Sequence, residues 1–204
     1  MATTLKDTLS ALTVAGELYQ RLPDRRVRCY ACGHRCLIPE GRDGVCRVRF
    51  NRDGVLRVPH GYVATSLQID PVEKKPFYHV LPGAAALSFG MLGCDYHCGY
   101  CQNWLTSQAL RDAEAWVRPS RIAPEEIVRR ALQHRAPIVT STYNEPLITS
   151  EWAVAVFRLA KAEGLKTAYV SNGNATAEVV EYLRPWLDLY KVDLKGFNDA
   201  KYRK

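Results

Sequence analysis

Three cysteines, Cys94, Cys98 and Cys101, fall within eight residues at the spacing C-x3-C-x2-C. They follow directly on an apolar run, 86–92, that reads as a buried strand. Thiolates packed this closely on a strand-to-loop turn can all face one point, and soft sulfur suits an iron–sulfur cluster or zinc. A 4Fe–4S cube held wholly by protein needs four cysteines, so a local set of three leaves one iron open to a small molecule. A zinc knuckle or three buried thiols is the plainer alternative.

The remaining four cysteines form a second group, Cys29, Cys32, Cys36 and Cys46, at C-x2-C-x3-C-x9-C, with Gly33, Gly41 and Gly44 where a knuckle would turn. Four thiolates in a glycine-rich loop can close a tetrahedral zinc site or carry a second cluster. His34, inside the first loop, could replace one of them. Metal would supply much of this segment's folding energy, because it has few large apolar residues. An odd total of seven cysteines in two tight groups argues against a disulfide framework and for a reducing cytosol. No secretory signal shows in residues 1–20, which carry Lys6, Asp7 and Glu17. The most apolar stretch, 80–92, is too short to span a bilayer and is broken by Pro82, Gly83 and Gly90. The expected location is therefore the cytoplasm, with no membrane partner.

The chain of 204 residues carries a net charge of +7. From Arg21 to Arg57 ten arginines face Asp24, Glu40, Asp43 and Asp53, a local excess of six. A solvated basic face accounts for this, and the sparse aromatics there (Tyr30, Phe50) weigh against nucleic-acid stacking.

Periodicity divides the chain at two places. Residues 1–22 read as an N-terminal amphipathic helix over 4–20, with Leu5, Leu9, Leu12 and Leu18 near one stripe. Residues 23–82 read as the cysteine-rich module, a hairpin turning through 51–54, and a polar connector over 70–79. From 83 to 204 strands and helices alternate: strands at 86–92, 137–142, 166–170 and 187–194, and helices at 124–135, from Thr149 or Ser150 to Glu163, and from an Asn174 cap to Arg184. Such repeats mean an α/β fold with a parallel sheet and function at the carboxyl ends of its strands. Those ends carry Asn144-Glu145, Ser171-Asn172, and Lys191, Asp193 and Lys195 on one face. Each is common as a turn or cap signal on its own. Together, at successive strand ends, they suit a polar ligand.

The order of these motifs resembles a radical S-adenosylmethionine (SAM) enzyme of the pyruvate formate-lyase-activating type, and more narrowly the AmmeMemoRadiSam-system family. Five features carry the resemblance: the four-cysteine module; Asp70-Pro71-Val72-Glu73-Lys74-Lys75-Pro76; Cys94, Cys98 and Cys101 followed by Gln102-Asn103-Trp104; Thr142-Tyr143-Asn144-Glu145-Pro146; and Ser171-Asn172-Gly173 with Asp193-Leu194-Lys195. The resemblance implies a partial parallel (β/α) barrel, here ending after about four strands of six. It implies that Cys94, Cys98 and Cys101 ligate a 4Fe–4S cluster whose free iron chelates SAM. Tyr100 would flank the adenine, Asn144 and Glu145 would meet the SAM amino group, and Ser171 and Asn172 would lie near the ribose. Asp193 would stand near the SAM carboxylate, as in activating enzymes, where the contact often runs through a cation. A reductant such as flavodoxin or ferredoxin would supply the electron, and the substrate could be a protein or a small molecule. Two other classes compete: an iron–sulfur electron carrier without SAM chemistry, and a zinc-module nucleic-acid-binding protein.

Overall fold

The computed structural model describes residues 4–112, 115 and 117–202. Helix α1 (Leu5–Ser10) opens with a capping box, in which the Asp7 N–H donates to Thr4 Oγ1 and the Thr4 N–H to the Asp7 carboxylate, both at 3.1 Å. The helix expected over 4–20 is thus corrected to one of six residues; residues 1–3 of the expected 1–22 segment lie outside the described ones. Strands β1 (Thr13–Ala15) and β2 (Tyr19–Arg21) follow instead. Thr13 and Val14 are β-branched and favour extended backbone. Gly16 packs so tightly that a Cβ there would be 2.7 Å from Val58 Cγ1.

Strands β3 (Val27–Cys29) and β4 (Leu37–Ile38) flank the first three cysteines of the knuckle, and β2, β3 and β4 make a small antiparallel sheet. Strands β5 (Phe50–Arg52) and β6 (Val55–Pro59) form the expected hairpin, with β1 added on the far side of β6. Its two turn residues, Asp53 and Gly54, have φ of 55° and 70°, the conformation that a tight two-residue hairpin needs. Strand β7 (Tyr62–Val63) leads to β8 (Gln68–Pro71). The polar stretch expected as a connector begins inside this strand, because β8 pairs antiparallel with the main sheet through Ile69 opposite Leu87.

The main sheet has β9 (Ala85–Phe89) next to β8. After α2 (Trp104–Ser107), β10 (Ser120–Arg121) pairs with β7. Then come α3 (Pro124–Gln133), β11 (Ile138–Ser141), α4 (Ser150–Ala162), β12 (Lys166–Ser171), α5 (Ala177–Leu183), β13 (Leu189–Val192) and α6 (Asp199–Tyr202). Sheet order is β13-β12-β11-β9-β8, with the first four strands parallel and in sequence order. All four residues of β11 are buried, as a central parallel strand requires. Helix α5 is capped by Thr176, whose hydroxyl accepts from the Val179 N–H at 3.1 Å, so the expected Asn174 cap is corrected by two residues.

One apolar cluster joins Leu9 of α1 and Leu56 and Val58 of β6 to Leu87, Trp152, Phe157 and Tyr169 of the main sheet and its helices. Across the same junction lies a buried ion pair. Arg49 Nη1 and Nη2 each donate to the Glu151 carboxylate at 2.7 Å, and both side chains are almost wholly enclosed.

Candidate active site

At the end of β9 the chain passes Gly90, Met91 and Leu92 and turns at Gly93, where φ is 95°. A Cβ on Gly93 would sit 2.9 Å from the Cys46 carbonyl oxygen and 2.8 Å from Val48 Cγ1, so the three-cysteine loop presses directly on the four-cysteine module. From there Cys94, Cys98 and Cys101 line one cleft, and Asn144, Glu145, Ser171, Asn172 and Asp193 line it too. The sulfurs already engage polar groups. The Tyr96 N–H donates to Cys94 Sγ at 3.4 Å, and Cys101 Sγ lies 3.2 Å from Ser107 Oγ. Burial pushes the Cys94 and Cys98 thiols above their ordinary pKa, with Asp95 adding to the effect at Cys94 and the Cys101 sulfur at Cys98.

Around this cleft the strand ends are tied to one another. Asn144 Oδ1 accepts from the Met91 N–H at 3.0 Å, joining the β11 end to the cysteine loop. The Glu145 carboxylate accepts from the Leu147 N–H at 3.0 Å, the Ser171 hydroxyl at 2.7 Å and the Asn172 N–H at 2.8 Å. Glu145 therefore starts the short 3-10 helix Pro146–Thr149 and also bridges β11 to β12. Burial raises its pKa to about 8, and the charge of Asp95 pushes the same way. The Tyr190 hydroxyl donates to Ser171 Oγ at 3.0 Å, extending the chain of bonds to β13. Asp193 stands between Lys191 and Lys195, bonded to both, with Lys195 Nζ at 2.9 Å. Tyr100 is largely exposed, and its hydroxyl donates to the Lys195 carbonyl at the rim.

The N-terminal cysteines stay outside the cleft. Cys29, Cys32 and Cys46 are buried and Cys36 partly so. Burial raises the Cys32 pKa most, the charge of Asp95 adds to it, and Cys46 and Cys29 add smaller effects. His34 is directed away from a ligand role, with Nε2 at 3.1 Å from the Asp95 carbonyl oxygen. Among the described residues no three His, Cys, Asp or Glu side chains converge closely enough to hold a metal ion. In kind, though, the donor set of the cleft fits an iron–sulfur cluster: three soft sulfurs on one loop, half-buried, with a backbone N–H directed at one of them.

Two features of the site went unread in the sequence. Asp95 is 3% exposed and accepts from both Asn172 Nδ2 at 2.7 Å and Asn174 Nδ2 at 2.8 Å. It lies between two cysteines of the motif, and that position was the available signal. Lys75, nearly buried, donates to Asp70 at 2.9 Å and to the Tyr143 hydroxyl at 3.1 Å, below a ring that lines the cleft. Nothing local in the sequence pairs residues 75 and 143.

A protein-family model described as the Radical SAM superfamily matches residues 90–204, from the end of β9 onward. An uncharacterized protein of Methanocaldococcus jannaschii is 36% identical over 182 residues, covering 89% of this chain and 53% of its own length. The chain thus spans about half the length of the curated relative it matches. The family match covers more than half of the chain, and its span takes in all three cysteines of the cleft and every strand end that lines it. The chain belongs to the radical SAM superfamily.

Proposed function

We propose that this chain carries the catalytic core of a radical SAM enzyme of the activating type, within the AmmeMemoRadiSam-system family. The observation that carries the reading is that Cys94, Cys98 and Cys101 line one cleft together with the strand-end groups Asn144, Glu145, Ser171, Asn172 and Asp193. The three cysteines would hold a 4Fe–4S cluster. When bound, that cluster supplies the electron that cleaves SAM reductively to methionine and a 5′-deoxyadenosyl radical, which takes hydrogen from the substrate.

The chain's own residues provide the binding surface. Glu145 lines the cleft with its pKa raised by burial, and a cationic ligand there would favour its ionised form, because a buried carboxylate gains most from a charge-assisted bond. Glu145 has its bonds to Leu147, Ser171 and Asn172 along the β11–β12 seam, which fixes its orientation before a ligand arrives. Ser171 and Asn172 offer polar groups toward a ribose, Asp193 faces the carboxylate end of SAM through a cation, and Tyr100 offers an aromatic face at the rim. Cys29, Cys32, Cys36 and Cys46 form the second centre, holding zinc or an auxiliary cluster, within a cysteine-rich module over 23–82. The four parallel strands in sequence order suit part of a (β/α) barrel over 83–204. A flavodoxin or ferredoxin in the cytoplasm is the reductant, and the substrate is a protein or small molecule bound by the enzyme as a whole. Among the described residues no helix is long and apolar enough to cross a membrane.

Anaerobic reconstitution with iron and sulfide, followed by assay with SAM and a reductant, tests this reading. The wild-type chain should take up iron and release 5′-deoxyadenosine. Cys98→Ala should lose the cluster of the cleft and all product while retaining metal at the N-terminal cysteines. A reconstituted wild-type protein that cycles electrons and leaves SAM intact is an electron carrier instead.

A further inference from the structure

We infer that Asp95 is a positioning residue for the iron–sulfur centre: it locks the cysteine loop to the 172–174 turn and holds an uncancelled negative charge beside Cys94. The inference rests on the radical SAM reading and adds to it a determinant of the cluster's reduction potential.

Geometry carries the argument. Asp95 follows Cys94 immediately, and its carboxylate Oδ1 lies 3.8 Å from Cys94 Sγ. Each carboxylate oxygen accepts from a separate amide, Oδ1 from Asn172 and Oδ2 from Asn174. The same two residues are held in turn. The Asn172 N–H donates to Glu145 Oε2 at 2.8 Å, the Asn174 N–H to Asn172 Oδ1 at 2.9 Å, and the Gly33 N–H to the Asn174 carbonyl at 2.8 Å. Gly33 is glycine for a reason visible here, since a Cβ would sit 2.3 Å from Asn174 Oδ1. His34 Nε2 meets the Asp95 carbonyl. One residue thus gathers the cysteine loop, the β12 turn, the Glu145 carboxylate and the N-terminal knuckle.

Apart from the Cys94 sulfur, the side-chain partners of Asp95 are two neutral amides. They orient the carboxylate and soften its charge without cancelling it. Asp95 is itself buried, so the remaining field reaches the adjacent sulfur with less screening than from an exposed carboxylate. A fixed negative charge makes the uptake of an electron by a neighbouring cluster less favourable, one of the levers by which protein sets such potentials. The amides act in the opposite sense, drawing part of the charge away from the sulfur.

The test is a redox titration of the reconstituted full chain, followed by electron paramagnetic resonance, with iron content measured in parallel. Asp95→Asn should keep its iron and move the midpoint potential in the positive direction. Asn174→Ala keeps the carboxylate and removes one softening donor, so its midpoint should move in the negative direction. Opposite shifts are the signature of charge, which a residue serving only loop structure would not give. If Asp95→Asn fails to load iron, the Asn174→Ala titration decides alone: a negative shift supports the inference, and no shift or a positive one overturns it. With both variants loaded, unchanged potentials or shifts of the same sign overturn it. A wild-type chain that takes up no cluster overturns this inference together with the reading beneath it, whereas a loaded wild type with unmoved variants overturns this inference only.

Discussion

Gly90 has no side chain because the neighbouring strand end passes through the place a Cβ would take: it would lie 2.5 Å from the Thr142 carbonyl oxygen and 3.0 Å from Tyr143 Cβ. Tyr143 itself is bent into the left-handed region, with φ of 73°, a conformation that costs a non-glycine residue about 1–3 kcal/mol and persists only when its surroundings impose it. They do so here. The Thr106 hydroxyl donates to the Tyr143 carbonyl at 3.2 Å, and Lys75 holds the phenol. Gly90→Ala should therefore push β9 and β11 apart at the cleft and cost about 1–3 kcal/mol, as overpacking against unyielding backbone does. Gly99→Ala is the control: nothing lies within 4 Å of a Cβ there, so its change should stay within about 0.5 kcal/mol. Urea midpoints for the two variants measure the contrast, and equal midpoints would remove the packing argument. The cysteines of the cleft were legible from spacing alone. Gly90 was legible only as a break in an apolar run, because the atom it avoids belongs to a residue more than fifty positions away.

At the scale of elements, alternating periodicity predicted the four parallel strands and the helices between them, since strands buried on both faces read as apolar runs and each helix carries its own start and stop signals. The N-terminal helix is shorter than the leucine spacing suggests: Leu5 and Leu9 lie in α1, whereas Leu12 and Leu18 are buried just ahead of the two short strands, and Gly16 lies between them. Strand β8 was missed because an antiparallel edge strand keeps polar residues and a proline. Glu145 shows why a site residue and an element boundary are hard to separate by sequence. It begins a helix, as its place before Pro146 indicates, and it also bonds across to β12, which no local pattern encodes. Its burial, with Asp95 adding, raises the folded-state pKa from 4.5 to about 8. The folded state thus holds this proton more tightly than the unfolded chain does. The corresponding stability is whole below about pH 4.5 and is lost as pH rises through about 8. Thermal midpoints of the metal-free chain should fall across that window, and Glu145→Gln, which never carries the charge, should flatten the slope. Identical slopes in the two proteins would show that Glu145 titrates no differently when folded.

Over the whole molecule, the N-terminal strands and the main sheet are joined by a shared apolar cluster and by the Arg49–Glu151 pair at its polar centre. Glu151 does more than neutralise Arg49, because its Oε1 also accepts from the Glu17 and Leu18 N–H groups at 3.2 and 3.4 Å, while Arg49 Nη1 donates to the Ile148 carbonyl at 3.0 Å. Burial alone would raise the Glu151 pKa, but the charge and bonds of Arg49 outweigh it and hold the carboxyl below its ordinary value. Its contribution is therefore present above the ordinary carboxylate range and lost as pH falls through the folded-state value. Removing one partner strands the other charge out of water, so Arg49→Met should cost about 3–5 kcal/mol. Arg49→Met with Glu151→Leu removes both charges and should cost less than the two single changes added together. It should not return to wild type, because the Glu17 and Leu18 N–H groups lose their acceptor, at about 1–3 kcal/mol for each group left unsatisfied. Urea unfolding followed by tryptophan fluorescence, which includes Trp152 beside this junction, and by far-ultraviolet circular dichroism measures the cycle. Coincident transitions in wild type with strong non-additivity in the double variant are the expected result. Two separate transitions, with Arg49→Met moving only one of them, would mean that the cysteine-bearing strands unfold apart from the sheet and that the ion pair does not join the two into one cooperative unit.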